Sequence, residues 1–129
     1  MTTFRDRLMA KGCNYEPNAR SSLDEWFSSI VDVPLDKLDV GDIARAIRQD
    51  LFLGDVLPRA EAILQGDPLA GDDYDGQLIS SIASLSPNEA KSVLHYLKRI
   101  SLILNQLDKS DFDERLLLDI KKIDQLTSG

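Results

Sequence analysis

Cysteine and histidine are nearly absent from this 129-residue chain, which has one of each, Cys13 and His95. A lone cysteine excludes an internal disulfide and fits a reducing, cytoplasmic setting. A lone histidine argues against a His-rich metal site and against His-dependent catalysis. Positive charge is also scarce: 15 Lys and Arg stand against 22 Asp and Glu, a net charge of -7. That balance argues against direct nucleic-acid binding, whose affinity comes largely from cations neutralising phosphates. No apolar run nears the roughly 18 residues needed to span a bilayer. Residues 1–11 mix charged and polar side chains without the apolar stretch of a secretory signal, so neither export nor a membrane span is expected.

What remains is enough for a folded domain. The chain is 43% hydrophobic and 29% charged. That apolar share can offset the entropy of ordering, and the length predicts one domain over residues 1–129. The acids are unevenly placed. Between Asp32 and Asp75 there are eleven acidic residues and four basic ones, Lys37, Arg45, Arg48 and Arg59. Outside that span eleven acids face eleven bases, so the middle third carries the whole net charge. Such asymmetry speaks to association and steering, not to fold.

Hydrophobic periodicity predicts helices throughout. Ser22 and Glu25 have capping-box spacing ahead of Trp26, Phe27 and Ile30, and Pro34 then breaks the chain. Asp39 is placed to cap a helix with Val40, Ile43, Ala44, Ile47 and Leu51 on one face. Gly54 punctuates, and a helix from about Asp55 follows with Pro58 in its first turn and Gly66 at its end. Residues 66–76 read as a loop. Leu78, Ile79, Ile82 and Leu85 mark the next helix. The strongest local signal is Ser86-Pro87-Asn88-Glu89, with a cap serine, proline at the first helical position and Glu89 able to reach back. It predicts one helix to about Leu107, burying Ala90, Val93, Leu94, Leu97, Ile100, Ser101 and Leu104. Ser110 or Asp111 is placed to cap a last helix carrying Leu116, Leu117, Ile120 and Ile123. The expected fold is all-α: a single compact bundle of about six to seven helices, the seventh over Thr3 to Lys11.

Enzymatic chemistry finds no complete set of parts. Asp67, Asp72, Asp73 and Asp75 lie in a Gly-rich loop, but aligning Gly76 as the sixth EF-hand position puts Gly71 first and Ile82 twelfth, and neither can serve. The pair Asp73 and Asp75 lacks a companion histidine, an activated nucleophile or a phosphate-cradling loop. Cys13 has no neighbouring cations to lower its pKa, and His95 reads as a core-edge residue. No cofactor, metal or catalytic residue is expected. The acidic middle third has two readings: a merely solvated face, or a patch that occupies the cationic surface of a nucleic-acid-binding or nucleic-acid-cleaving partner. Tyr74, between Asp73 and Asp75, adds an aromatic of the kind that anchors interfaces.

The stretch Pro34-Leu35-Asp36-Lys37-Leu38-Asp39-Val40-Gly41-Asp42-Ile43, then Ala46-Ile47-Arg48-Gln49-Asp50 and Leu53, carries a resemblance. It continues through Val56-Leu57-Pro58-Arg59-Ala60, Ile63-Leu64 and Asp67-Pro68-Leu69-Ala70-Gly71-Asp72-Asp73-Tyr74-Asp75-Gly76-Gln77-Leu78-Ile79. Over roughly Pro34 to Leu85 the chain resembles immunity proteins of bacterial contact-dependent growth inhibition (CDI) systems, the CdiI family. It departs from the family's string at Asp75, where proline is usual, and at Gln77, where an acid is. The resemblance implies a non-enzymatic protein that binds one cognate CdiA C-terminal toxin domain, 1:1, and blocks it inside the producing cell. Many such toxins are nucleases, in keeping with the charge. Shared positions such as Leu57, Pro58, Ile63, Pro68, Leu69 and Gly76 then hold the fold. Toxin binding is expected at Asp50, Asp55, Asp67, Asp72, Asp73, Tyr74 and Asp75. Charge alone also admits a cytosolic helical adaptor docking some other basic protein.

Overall fold

The fold comes from a computed structural model and is described for residues 3–10, 12, 22–72, 74–110 and 112–127, with Ser22 and Leu23 as backbone only. Cys13, Asp73, Asp111 and the Ser22 side chain, all singled out above, lie outside what is described. The described residues are all-α and contain no strand. They form eight α-helices: α1 (Phe4–Ala10), α2 (Ser22–Ile30), α3 (Val40–Arg48), α4 (Leu53–Gly66), α5 (Gln77–Ala83), α6 (Pro87–Ser92), α7 (Leu94–Asn105) and α8 (Glu114–Thr127). A 3-10 turn, Leu35–Lys37, follows Pro34. Backbone contacts divide the chain into two units, Met1–Leu38 and Asp39–Gly129.

In the first unit Thr3 and Asp6 form a reciprocal cap at the start of α1. The Asp6 carboxylate accepts from the Thr3 amide at 3.0 Å and the Thr3 hydroxyl from the Asp6 amide at 3.1 Å. The buried Phe4 ring stacks on Phe27 of α2 with centroids 5.7 Å apart. Arg5 binds Asp32 with two nitrogens, at 2.6 and 3.2 Å, while its amide donates to the Val31 carbonyl. The paired guanidinium holds the Asp32 carboxyl below its ordinary value.

The second unit is a ring of helices. α3 packs on α4 and α5, α4 on α7, α7 on α8, and α8 back on α5. Inside the ring Ile43, Ile47, Leu57, Leu64, Leu78, Ile79, Ile82, Leu97, Ile100, Leu104 and Ile123 are fully buried. Each such side chain contributes about 1.5–3 kcal/mol by leaving water, which is why these apolar stripes, rather than local propensity, fix the helix faces. A polar clasp joins α7 to α8: the hydroxyl of Ser101 and the amide of Asn105 both donate to the Asp124 carboxylate.

Several boundaries differ from the sequence expectation. α4 begins at Leu53, so Gly54 lies inside it and Pro58 is past the first turn. The carbonyl deprived of a donor by Pro58 belongs to the exposed Gly54, where water can serve it. The helix expected to run from Ser86 to Leu107 is cut at Val93, whose φ of -128° and ψ of 25° end α6 and begin α7. The Ser86 cap fixes the direction of α6, packing on α4 and α8 fixes that of α7, and buried Val93 absorbs the difference. The last helix is capped by Asp113, which accepts from the Leu116 amide at 2.8 Å, rather than by Ser110; Asp111 lies outside the described residues. Leu116, Ile120 and Ile123 then face inward and Leu117, one step round, is exposed. Ser101 is only half-buried.

The Ser86 capping box is present as read. Its hydroxyl accepts from the Glu89 amide at 3.2 Å, and Glu89 accepts from the Ser86 amide at 2.9 Å. Ser86→Ala is expected to cost about 1 kcal/mol in a urea melt. The Ser86 backbone, then its hydroxyl, hold the Glu89 carboxyl below its ordinary 4.5. A carboxyl lowered on folding stabilises the fold above its free value and loses that contribution as pH falls through the native one. Glu89→Gln keeps the box geometry. Between about pH 6 and pH 3 it is therefore expected to lose less stability than the unaltered chain.

Candidate functional site

The loop between α4 and α5 presents its carboxylates from a backbone held by several hydrogen bonds among its described residues. Asp67 accepts from the Leu69 amide, closing a short turn, and the Ala70 amide donates to the Asp67 carbonyl at 3.1 Å. Gly76 donates to Leu69 and Leu78 to Ala70, at 2.9 and 3.1 Å. The Asp72 amide donates to the side chain of buried Gln77 at 2.8 Å. Two glycines make this path possible. A Cβ at Gly71 would run into the Tyr74 carbonyl oxygen, and Gly76 sits at φ 83° with Leu116 against it.

Two side chains tie the loop to α3. Asp72 accepts from the Gly41 amide at 2.7 Å, across 31 residues of sequence. Asp39 has the extended backbone of an N-cap, but its side chain makes no cap hydrogen bond; Asp72 performs that service in its place. A carboxylate at a helix start also meets the positive end of the helix dipole. At the other end of α3, Arg48 donates to the Tyr74 hydroxyl at 2.7 Å and to the buried Ser81 hydroxyl at 3.1 Å. The guanidinium of Arg115 from α8 lies 4.8 Å from the centre of the Tyr74 ring. Hydrogen bonding with Ser80, then the Arg48 bond and the two cations, hold the Tyr74 phenol below its ordinary value.

Asp50 stands two residues beyond Arg48 in a costly position. It ends α3 in the left-handed conformation, φ 56°, while the Leu51 amide reaches back to the Ala46 carbonyl. Glycine or asparagine suits that place better, and a negative charge there opposes the C-terminal end of the helix dipole. Desolvation, then the neighbouring Glu89 carboxylate, push the Asp50 carboxyl up. Phe52, at φ 48°, carries a second left-handed backbone in the same turn.

Of the expected toxin-binding residues, the structure thus groups Asp67, Asp72, Tyr74 and Asp75 in one braced loop, with Asp73 outside the described residues. Asp67, Asp72 and Asp75 are exposed, and Tyr74 is half-buried between arginines. Asp50 lies in the α3–α4 turn against Glu89, and Asp55 is half-buried near the start of α4 and engaged within the protein. Sequence reasoning missed Arg48, Arg115, Ser80, Ser81 and Glu89. Only Glu89 carried a local signal, its capping box; nothing local places Arg115 beside Tyr74. Among the described residues no three His, Cys, Asp or Glu side chains are grouped to hold a metal ion. No helix among them is long and apolar enough to cross a membrane.

Residues 9–100 match the family model of CDI immunity proteins, a longer stretch than the Pro34 to Leu85 of the sequence resemblance. The chain belongs to that family, and its role is immunity toward a CDI toxin. A comparison with curated proteins gives no match.

The Asp72 cap and the exposed Asp75 separate stability from display. Asp72→Lys is expected to lower stability by about 1 kcal/mol through loss of the α3 cap, whereas Asp75→Lys leaves the thermal midpoint unchanged. Asp50→Asn tolerates the same backbone, removes the opposed charge and can donate to Glu89. It is expected to stabilise the protein by about 0.5 kcal/mol at neutral pH in a urea melt.

Proposed function

We propose that the protein inhibits its toxin by binding alone, one immunity protein to one toxin domain, through the acidic loop and the adjacent Asp50. The toxin domain is a nuclease whose cationic substrate surface is occupied by these carboxylates in place of phosphates. The bound state forms in the cytoplasm of the producing cell. The observation that carries this reading is the bracing of the loop: hydrogen bonds at Asp67, Asp72 and Tyr74 tie its described residues down, so displaying Asp67 and Asp75 to a partner costs less further entropy. Asp50 supports it. Its carboxylate opposes Glu89 and the end of α3, so its fit lies in what it meets outside the chain.

The test is calorimetry of this protein with the toxin domain encoded beside its gene, at low and high salt. Binding is expected to be 1:1 and to weaken with salt. The double variant Asp67→Lys with Asp75→Lys should weaken it by about tenfold or more, well beyond the small stability cost of losing the Asp67 bond to the Leu69 amide. Added nucleic acid substrate should compete. Tight binding that ignores both salt and the double charge reversal would move the interface away from the loop.

A further inference from the structure

A groove of about 460 Å³ opens where α6 lies beside the end of α8. It exists because the chain turns at Val93: α6 leaves the line of α7 and packs only lightly on α8. Leu85, Leu94 and Leu126 give it an apolar lining, with Pro87 at one side. Among the described residues its charged lining is Lys91 from α6 and Lys122 from α8, with no carboxylate. Both lysines are exposed, and neither is held by an ion pair or hydrogen bond among the described residues.

We propose that this groove is a second recognition site for the toxin domain, taking a segment that carries a carboxylate beside an apolar side chain. The proposal rests on the immunity reading above and deepens it. Two observations choose the occupant. An apolar lining crossed by unpaired cations complements an anionic segment with apolar side chains, and a groove open to solvent suits a protein segment better than an enclosed small molecule. The same short helix also joins this groove to the acidic site. Glu89 of α6 meets Asp50, while Lys91, two residues on, lines the groove. A partner spanning α6 therefore meets carboxylates and then lysines. That order of charge fixes its register and rejects toxins with the wrong sequence of charges, which acidic steering alone does not do.

The variant Lys91→Glu with Lys122→Glu tests this by calorimetry against the same toxin domain, with Lys98→Glu and Lys121→Glu as an exposed control carrying an equal change of charge. Two added glutamates increase the long-range attraction to a basic toxin, so weaker binding reports a lost contact. We expect affinity to fall by about tenfold in the groove variant and not in the control, with thermal midpoints preserved. The neutral pair Lys91→Gln with Lys122→Gln should give a smaller fall in the same direction. If the unaltered protein binds and the groove variant binds equally well, or falls no further than the control, the groove proposal is overturned and the immunity reading stands. If the unaltered protein does not bind, that toxin is not its partner, and both readings fail for the pair.

Discussion

A surface loop can present carboxylates from a defined position when some of its own side chains fasten it to the rest of the domain. Here Asp72 is diverted to that purpose. Its carboxylate takes the Gly41 amide at the start of α3, and its amide takes the side chain of Gln77. With Tyr74 held by Arg48 at the far end of α3, the loop is fastened at two points along one helix. Gly71 lets the chain pass close to its own Tyr74 carbonyl, and Gly76 turns it into α5. The placement of Asp67 and Asp75 follows from these fastenings. An interface built this way has its ordering entropy settled during folding, leaving more of the interaction energy for binding.

The linear charge count overstates what the surface displays. The span from Asp32 to Asp75 has a large acidic excess in sequence, but cations from outside it come back in space. Arg5 binds Asp32, and Arg99 binds the buried Glu61 at 3.0 Å. Arg115 lies over Tyr74 in the middle of the acidic loop. Asp72 is occupied as a helix cap. Steering toward a basic partner therefore rests on fewer carboxylates than the sequence contains, and those few sit on a firmer frame. The exposed groove lysines mark the opposite case, cations with no acid paired to them among the described residues.

How much of this was legible in the sequence depended on range. The Ser86-Pro87-Asn88-Glu89 cap works through contacts three residues apart, and it appears as read. The apolar stripes of α3, α5 and α7 were legible because burial imposes helical spacing on them. The break at Val93 was not, since no glycine or proline marks it and its cause is a disagreement between a local cap and distant packing. The Asp39 cap failed for a related reason: the position is right, but Asp72 arrives from 31 residues away and takes the amide. Asp113 shows the smaller error typical of boundaries, where any of several neighbouring polar residues satisfies the pattern and only the turn before the helix selects one. In the candidate site, the acidic loop and its extent were visible. The Arg48 and Arg115 contacts to Tyr74 were not, because the ring of helices brings those side chains together.

Asp50 gathers these strands. A residue with a left-handed backbone, at the negative end of a helix and facing another carboxylate, is one that stability alone would replace with asparagine or glycine. The Glu89 it faces is itself required for the α6 cap, so relief can come only from the Asp50 side of the pair. α6 is thereby placed between two electrostatic tasks: its first turn holds Glu89 against Asp50, and its last residues carry Lys91 into a cationic groove. The turn at Val93 is what keeps these apart. Continued straight into α7, the helix would lose the groove. A break that contributes nothing to local helix stability thus permits two surfaces of opposite charge within a few residues. On the proposed reading, two such surfaces discriminate among partners through the order in which charges are met, and a uniform acidic face has no means of doing so.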